Sequence, residues 1–177
     1  MLSVALIEPQ IPPNTGNIAR SCAATDTSLH LIEPFGFSIE DGELRRAGLD
    51  YWNEVDLWLH PHWRAFREAV ARERCLYFSA HGGRSHFQAP YAQNSVLVFG
   101  NETHGLPERI LVKHPERVFR IPMRPGIRCL NLATAVGIVL YEAIRQLGMR
   151  IDPEGPEPAR SRRPAEAGSH SHHPTTE

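Results

Sequence analysis

VFRIPMRPGIRCLNLATA, running from Val118 to Ala135, changes pattern twice within one short stretch. Val118 to Pro122 reads as a strand, Arg124 to Cys129 as a Pro/Gly loop, and Asn131 as the entry to a helix. A helix start presents unpaired backbone N–H groups, and the loop brings Arg124 and Arg128. A polar or anionic ligand would therefore meet donors from both sides. An ordinary strand-to-helix connection with surface arginines fits the same residues, so the flanking sequence has to decide.

On the C-terminal side, Leu132, Val136, Val139, Leu140, Ala143, Ile144 and Leu147 recur as one broad apolar helical face, and Gly148 closes it. So wide a stripe suits a core and a partner chain together. On the N-terminal side, Cys75 to Ser79 and Ser95 to Phe99 are short apolar strands. Each runs into a glycine loop, AHGG over Ala80 to Gly83 and GNETHGLP over Gly100 to Pro107. Further back, Leu2 to Ile7 and Ser28 to Ile32 read as buried strands, and Val55, Leu57 and Leu59 alternate as a strand does.

Helices separate these strands. QIPPNTGNIAR bends and then enters a helix that turns Ile18, Ala19, Cys22 and Ala23 inward, with Asn14 as its candidate cap. Ser38 and Asp41 resemble a capping box ahead of a short helix that carries Leu44 and Ala47 and exposes Arg45 and Arg46. Trp63, Phe66 and Val70 share another helical face. The alternation predicts an α/β fold with a largely parallel sheet flanked by helices. Ligands bind such sheets at the carboxyl ends of the strands, which places Ser79 to Gly83, Gly100 to Gly105 and Ile121 to Cys129 around one crevice.

With 177 residues, 41% of them hydrophobic, the chain suits a single globular domain. Its formal charge is −1, but the basic residues are eighteen Arg and a single Lys, Lys113. Arginine forks suit phosphate, so the bias permits an RNA partner; genomic composition would produce the same bias. Cys22, Cys75 and Cys129 are odd in number and widely spaced, which fits a reducing cytoplasm and no disulfide framework. No apolar run approaches the roughly 20 residues of a membrane span, so the expectation is a soluble, unexported protein. Beyond Arg150 the chain is rich in proline and lacks an apolar period, which predicts a disordered tail.

Several chemistries lack their defining residues. There is no Cys-x-x-Cys or His-Glu-x-x-His pattern, so no metal is expected, and the histidines of the tail read as a solvated run. Gly-x-Ser-x-Gly, Gly-Lys-Ser/Thr and Gly-x-Gly-x-x-Gly are all missing. Among the acids that follow strands, only Glu102 stands between glycines at the expected crevice.

Three segments, IEPQIPPNTGNIARSCAAT, LVFGNETHGLP and IPMRPGIRCLNLATAVGIVLYEAIRQLG, resemble the three motifs of the SPOUT superfamily of S-adenosylmethionine-dependent RNA methyltransferases. LIEPFGF and LRRAGLDYW resemble its small TrmL/YibK branch, which 2'-O-methylates the wobble nucleotide of certain tRNAs, a cytidine or modified uridine at position 34. The resemblance spans nearly all of residues 1–149, keeps motif order and spacing, and leaves 150–177 outside. It implies a C-terminal deep trefoil knot, a homodimer and a cytoplasmic enzyme acting on the tRNA anticodon loop.

The same resemblance assigns residues. The cofactor, S-adenosylmethionine, would lie among three loops at Phe78, Ser79, Gly100, Ile121 and Cys129, held mostly by backbone groups. Asn14, Arg20, Glu102 and Asn131 match the family's catalytic positions, and Arg45, Arg46, Arg124 and Arg128 become candidates for the RNA backbone. Tyr51 or Trp52 would stack on the wobble base. Cys129 stands where the family usually has Ser, a change that keeps a backbone contact but weakens a hydroxyl one. Arginine side chains hold their proton to above about pH 12, so Arg20 is expected to position phosphate and ribose while phosphate or water takes the proton. Another SPOUT methyltransferase, or an RNA-binding protein that kept the scaffold without catalysis, would carry much of this pattern.

Overall fold

The first strand, β1 (Ser3–Ile7), is buried at all five positions, and β2 (Ser28–Ile32) likewise. Strands sealed on both faces belong to parallel sheets with helices on either side. The computed structural model describes residues 1–37 and 54–151 and has that architecture. Its other strands are β3 (Leu57–His60), β4 (Cys75–Phe78), β5 (Arg84–Ser85), β6 (Val96–Phe99) and β7 (Val118–Arg120). The sheet order is β3-β2-β1-β6-β4-β7-β5, and the paired strands run parallel throughout. The expected helix around Leu44 and Ala47, the pairs Arg45 and Arg46 and Tyr51 and Trp52, and the tail from residue 152 lie outside the described residues.

Helices α1 (Pro12–Ala24) and α4 (Leu132–Leu147) cover one face, and α2 (Trp63–Ala69) and α3 (Glu108–Lys113) the other. Alternate strand residues divide between the two cores. Val4, Leu6, Leu97 and Phe119 meet Ile18, Cys22, Val136 and Leu140, whereas Ala5, Ile7, Tyr77 and Val98 meet Phe66 and Ile110. The long apolar stripe of α4 is thus largely spent on the core, although Ile138 and Tyr141 remain exposed. Asn131 caps the start of α4 by accepting the Thr134 N–H at 3.2 Å, and Gly148 ends it with φ +60°. No helix among the described residues is long and apolar enough to cross a membrane.

The helix after β1 is entered differently from the expectation. Its cap is Ile11, without a side-chain hydrogen bond, and Pro12 and Pro13 fill the first positions, where a missing N–H costs little. Asn14 lies inside the first turn, buried, with its side chain engaged elsewhere. The last strand stops at Arg120 and not at Pro122, a residue with no N–H to donate to a ladder. β5 and α3, two and six residues long, are too short to show a period in sequence.

One connection constrains everything after it. β7 lies between β4 and β5, yet β5 follows β4 in the chain after only residues 79–83. That link therefore crosses β7. The Ser79 N–H donates to the Phe119 carbonyl at 2.9 Å, and a Cβ on Gly82 would stand 2.4 Å from the Phe119 carbonyl carbon. Only glycine allows so close an approach.

At the opposite edge, His30 on β2 and His60 on β3 are 8% and 5% exposed, and their rings share a hydrogen bond, Nδ1 to Nε2, of 3.0 Å. Phe66 sits edge-on to both rings, and Trp58 stacks on His30. Burial pushes His30 down to about 4, His60 and Arg74 lower it further, and Asp56 opposes them; burial lowers His60 as well. A folded-state value below the unfolded one means that the unfolded chain binds more protons as pH falls through 6.5. Stability is then fully present above that pH and is lost below it. Urea unfolding should show a loss of roughly 2 kcal/mol between pH 7.5 and pH 5.0. The His30→Gln variant should lose clearly less over the same interval, and parallel pH profiles for the two proteins would contradict the assignment.

Candidate active site

The loops that leave β4, β6 and β7 line a cavity of about 820 Å³, at the strand ends where a parallel sheet binds its ligands. Its volume falls within the roughly 300–1,000 Å³ common for small-molecule sites. Phe78, Ser79, Gly100, Ile121, Arg128 and Cys129 form parts of its wall, and so do Asn14, Glu102 and Asn131. Arg20 and Arg124 are not on that wall. Arg20 lies further along α1 with an exposed side chain, and Arg124 is exposed on the loop after β7. Arg45 and Arg46 lie outside the described residues.

The GNETHG loop owes its shape to its ends. Gly105 has φ +68°, and its N–H returns to the Asn101 carbonyl at 3.0 Å. The Asn101 side chain accepts the N–H groups of Thr103 and His104 at 3.1 and 2.7 Å, an Asx-type turn. A Cβ on Gly100 would stand 1.9 Å from the Gly105 carbonyl carbon, so a side chain at position 100 would force the loop open. This tight return presents the Glu102 carboxylate to the turn that follows β1.

Glu102 there accepts the backbone N–H groups of Gln10 and Ile11, at 2.9 and 3.2 Å, and the Asn14 side-chain amide at 3.0 Å. Asn14 uses its own carbonyl oxygen to accept from the Asn131 amide at 2.9 Å, and Asn131 caps α4. A single polar chain thus joins the turn after β1, the loop after β6 and the end of the loop after β7. Three of the four residues expected to be catalytic come together here, and their polar atoms are engaged with one another. In this arrangement they position the walls of the cavity.

The remaining wall is mixed. Phe99, Leu106, Leu111, Leu130 and Leu132 give it an apolar side, and Glu102 and Glu108 add carboxylates. That composition fits a ligand with a flat hydrophobic body and a cationic centre. Cys129 is an exposed thiol on the wall, whereas Cys22 and Cys75 are buried. Burial pushes the Cys22 thiol up to about 12 and raises Cys75 too, which leaves both inert. Among the described residues no group of three or more His, Cys, Asp or Glu could hold a metal ion. His81, Thr103 and His104 also line the cavity, in the very glycine loops that the sequence singled out. Leu111, on a helix too short to foresee, carries no sequence signal.

Comparison with known proteins adds relatives to this geometry. Residues 1–141 match the SpoU rRNA Methylase family. The tRNA (cytidine(34)-2'-O)-methyltransferase of Escherichia coli (strain K12) is 49% identical over 149 residues, covering 84% of this chain and 95% of that protein. A solved structure described as "Structural insights into the 2-OH methylation of C/U34 on tRNA" superposes with a TM-score of 0.80 at 48% identity, over 85% of this chain and 98% of that one. An AdoMet-bound rRNA methyltransferase from Sinorhizobium meliloti superposes with a TM-score of 0.73 at 27% identity, over 82% of this chain and 56% of that one.

If Glu102 fastens the turn after β1, Glu102→Ala should lower the unfolding free energy by about 2–3 kcal/mol, because three donors lose a charged acceptor. Denaturant unfolding measures this directly. A loss under about 0.5 kcal/mol, the scatter of ordinary surface substitutions, would show that the clasp does not hold these loops in solution.

Proposed function

Since this chain belongs to the SpoU rRNA Methylase family, we propose that its cavity binds S-adenosylmethionine and that the protein methylates the ribose 2'-oxygen of nucleotide 34, a cytidine or modified uridine, in the anticodon loop of tRNA. The observation that carries this reading is the convergence of the three loops on one cavity, tied together through Asn14, Glu102 and Asn131. Relatives aligned over 96% and 95% of their own length are named for 2'-O-methylation of cytidine 34 in tRNA, which supports this reading. We take 1–149 as the methyltransferase domain and 150–177 as a tail outside it. The substrate places the work in the cytoplasm.

The wall residues suit the cofactor. Phe78, Ser79, Gly100, Ile121 and Cys129 would hold it, chiefly through their backbone, in a wall whose mixed apolar and polar lining suits an adenosyl group. Bound there, S-adenosylmethionine supplies an electrophilic methyl group. The chain has to hold the ribose 2'-oxygen in line with that methyl group, which is a matter of positioning. Arg20, exposed on α1, holds the RNA phosphate and ribose and stabilises the oxyanion charge that develops, while phosphate or water accepts the 2'-hydroxyl proton. It meets RNA arriving from solvent, so it has no need to line the cofactor cavity. Arg45, Arg46, Arg124 and Arg128 contact the RNA backbone, and a base splayed from the single-stranded loop is read by stacking.

Two further features belong to this reading. A knot is supported by the seat of β7 between β4 and β5, because the 79–83 link closes over a strand that comes later in the chain. A homodimer is supported by the exposed Phe87, Ile138 and Tyr141, which rim a second hollow of about 400 Å³ beside Ile121 and Pro122. Ile121 borders both hollows, so a second copy seated there would brace the cofactor loop.

Arg20→Ala should abolish methylation of tRNA while S-adenosylhomocysteine binding, measured by calorimetry, persists; near-normal turnover would remove Arg20 from the mechanism. Cys129→Ser should leave the affinity for S-adenosylhomocysteine within about twofold. A loss of tenfold or more, worth about 1.4 kcal/mol, would mean that the thiol itself makes a contact.

A further inference from the structure

Arg120, the last residue of β7, contacts neither the cavity nor the clasp around Glu102, and nothing in the sequence marked it. Along β7, Val118 and Phe119 turn into the two cores while Arg120 is exposed. Its guanidinium nevertheless turns back over the strand. Nη1 donates to the Gly82 carbonyl at 2.8 Å and to the Gly83 carbonyl at 3.1 Å, two successive acceptors on the link that crosses β7. At the other end of that link the Ser79 N–H is bonded to the Phe119 carbonyl, and inside it the Gly82 N–H returns to the Ser79 carbonyl at 3.1 Å. Between these two anchors stand Ser79, Ala80 and His81, which line the cavity. The neighbouring Arg84 serves another purpose. It lies over the Phe119 ring at 4.8 Å and donates to the Glu116 carbonyl.

We propose that Arg120 is a positioning residue for cofactor binding: by pinning Gly82 and Gly83 against β7 from behind, it holds the 79–83 link in the shape that faces its backbone groups into the cavity. The proposal rests on the reading of that cavity as the S-adenosylmethionine site. A charged donor to carbonyls at a strand crossing makes stronger bonds than a neutral one. Arg120 touches no reacting atom. Its loss should therefore appear in cofactor affinity and leave RNA affinity alone.

The test uses the full chain and S-adenosylhomocysteine as probe. Arg120→Ala should weaken its binding by about tenfold in calorimetry, the size of one charge-assisted hydrogen bond. The KM for S-adenosylmethionine should rise in proportion, with kcat and the gel-shift affinity for tRNA within about twofold. Arg120→Lys, which keeps a charged donor without the planar fork, should recover part of the loss. Gly82→Ala displaces the same link with Arg120 in place, so it should also weaken the probe, and the double variant should lose less than the sum. A folded Arg120→Ala protein that binds the probe within twofold of wild type overturns the proposal; should that variant not fold, the same result for Arg120→Lys and Gly82→Ala together overturns it. A wild-type chain that fails to bind the probe at all would instead remove the cofactor reading on which it stands.

Discussion

The Glu102 carboxylate, with two N–H donors from the turn after β1 and a third from Asn14 in the first turn of α1, is the contact on which the site depends. Strands β1, β2, β4 and β6 are buried throughout, so they can offer polar groups to a ligand only at their ends. Loops at those ends carry unpaired backbone groups and would move apart unless something satisfied them. One charged acceptor, continued through Asn14 and Asn131 to the start of α4, fastens three of them and closes a cavity between them. The three residues that family resemblance marks as catalytic also tie the walls of the site together.

Arginine use shows a second economy. Read as composition, eighteen arginines in a formally near-neutral chain permit an RNA partner. In the fold, Arg74 donates to the Asn94 carbonyl, Arg117 to the carbonyls of Cys75 and Glu73, and Arg120 to those of Gly82 and Gly83. Each of these closes a place where chain segments meet without a ladder to pair their carbonyls. Arginine suits that task because its guanidinium carries several N–H donors and stays charged at any physiological pH. Composition counts such residues together with those that would face RNA, and only position separates them.

Much of the site was legible as sequence because glycine is informative about backbone. Gly100 and Gly105 mark a loop that returns on itself, and the structure shows a backbone atom 1.9 Å from where a Cβ at position 100 would be. The strand ends carrying Ser79, Gly100 and Ile121 followed from the rule for parallel sheets, and they line the cavity. What escaped had no periodic or compositional trace: the two-residue β5, the six-residue α3 with Leu111, and Arg120 at a strand end. Asn14 has the residue type of a cap but serves as a buried amide relay, and local preference does not tell the two apart.

By itself the sequence determined the parallel α/β class, the strand ends that carry the site, the motif residues that define the family, and the start of α4 at Asn131. These are local or periodic properties, written in hydrophobic spacing, in turn residues and in motifs of fixed order. Only the tertiary structure decided that β7 sits between β4 and β5, that Asn14 meets both Glu102 and Asn131, and that Arg120 reaches across to Gly82. Those partners are separated in the chain by between 35 and 117 residues. Contacts over such distances depend on how whole elements pack, and no local preference encodes which distant carbonyl or amide a side chain will find.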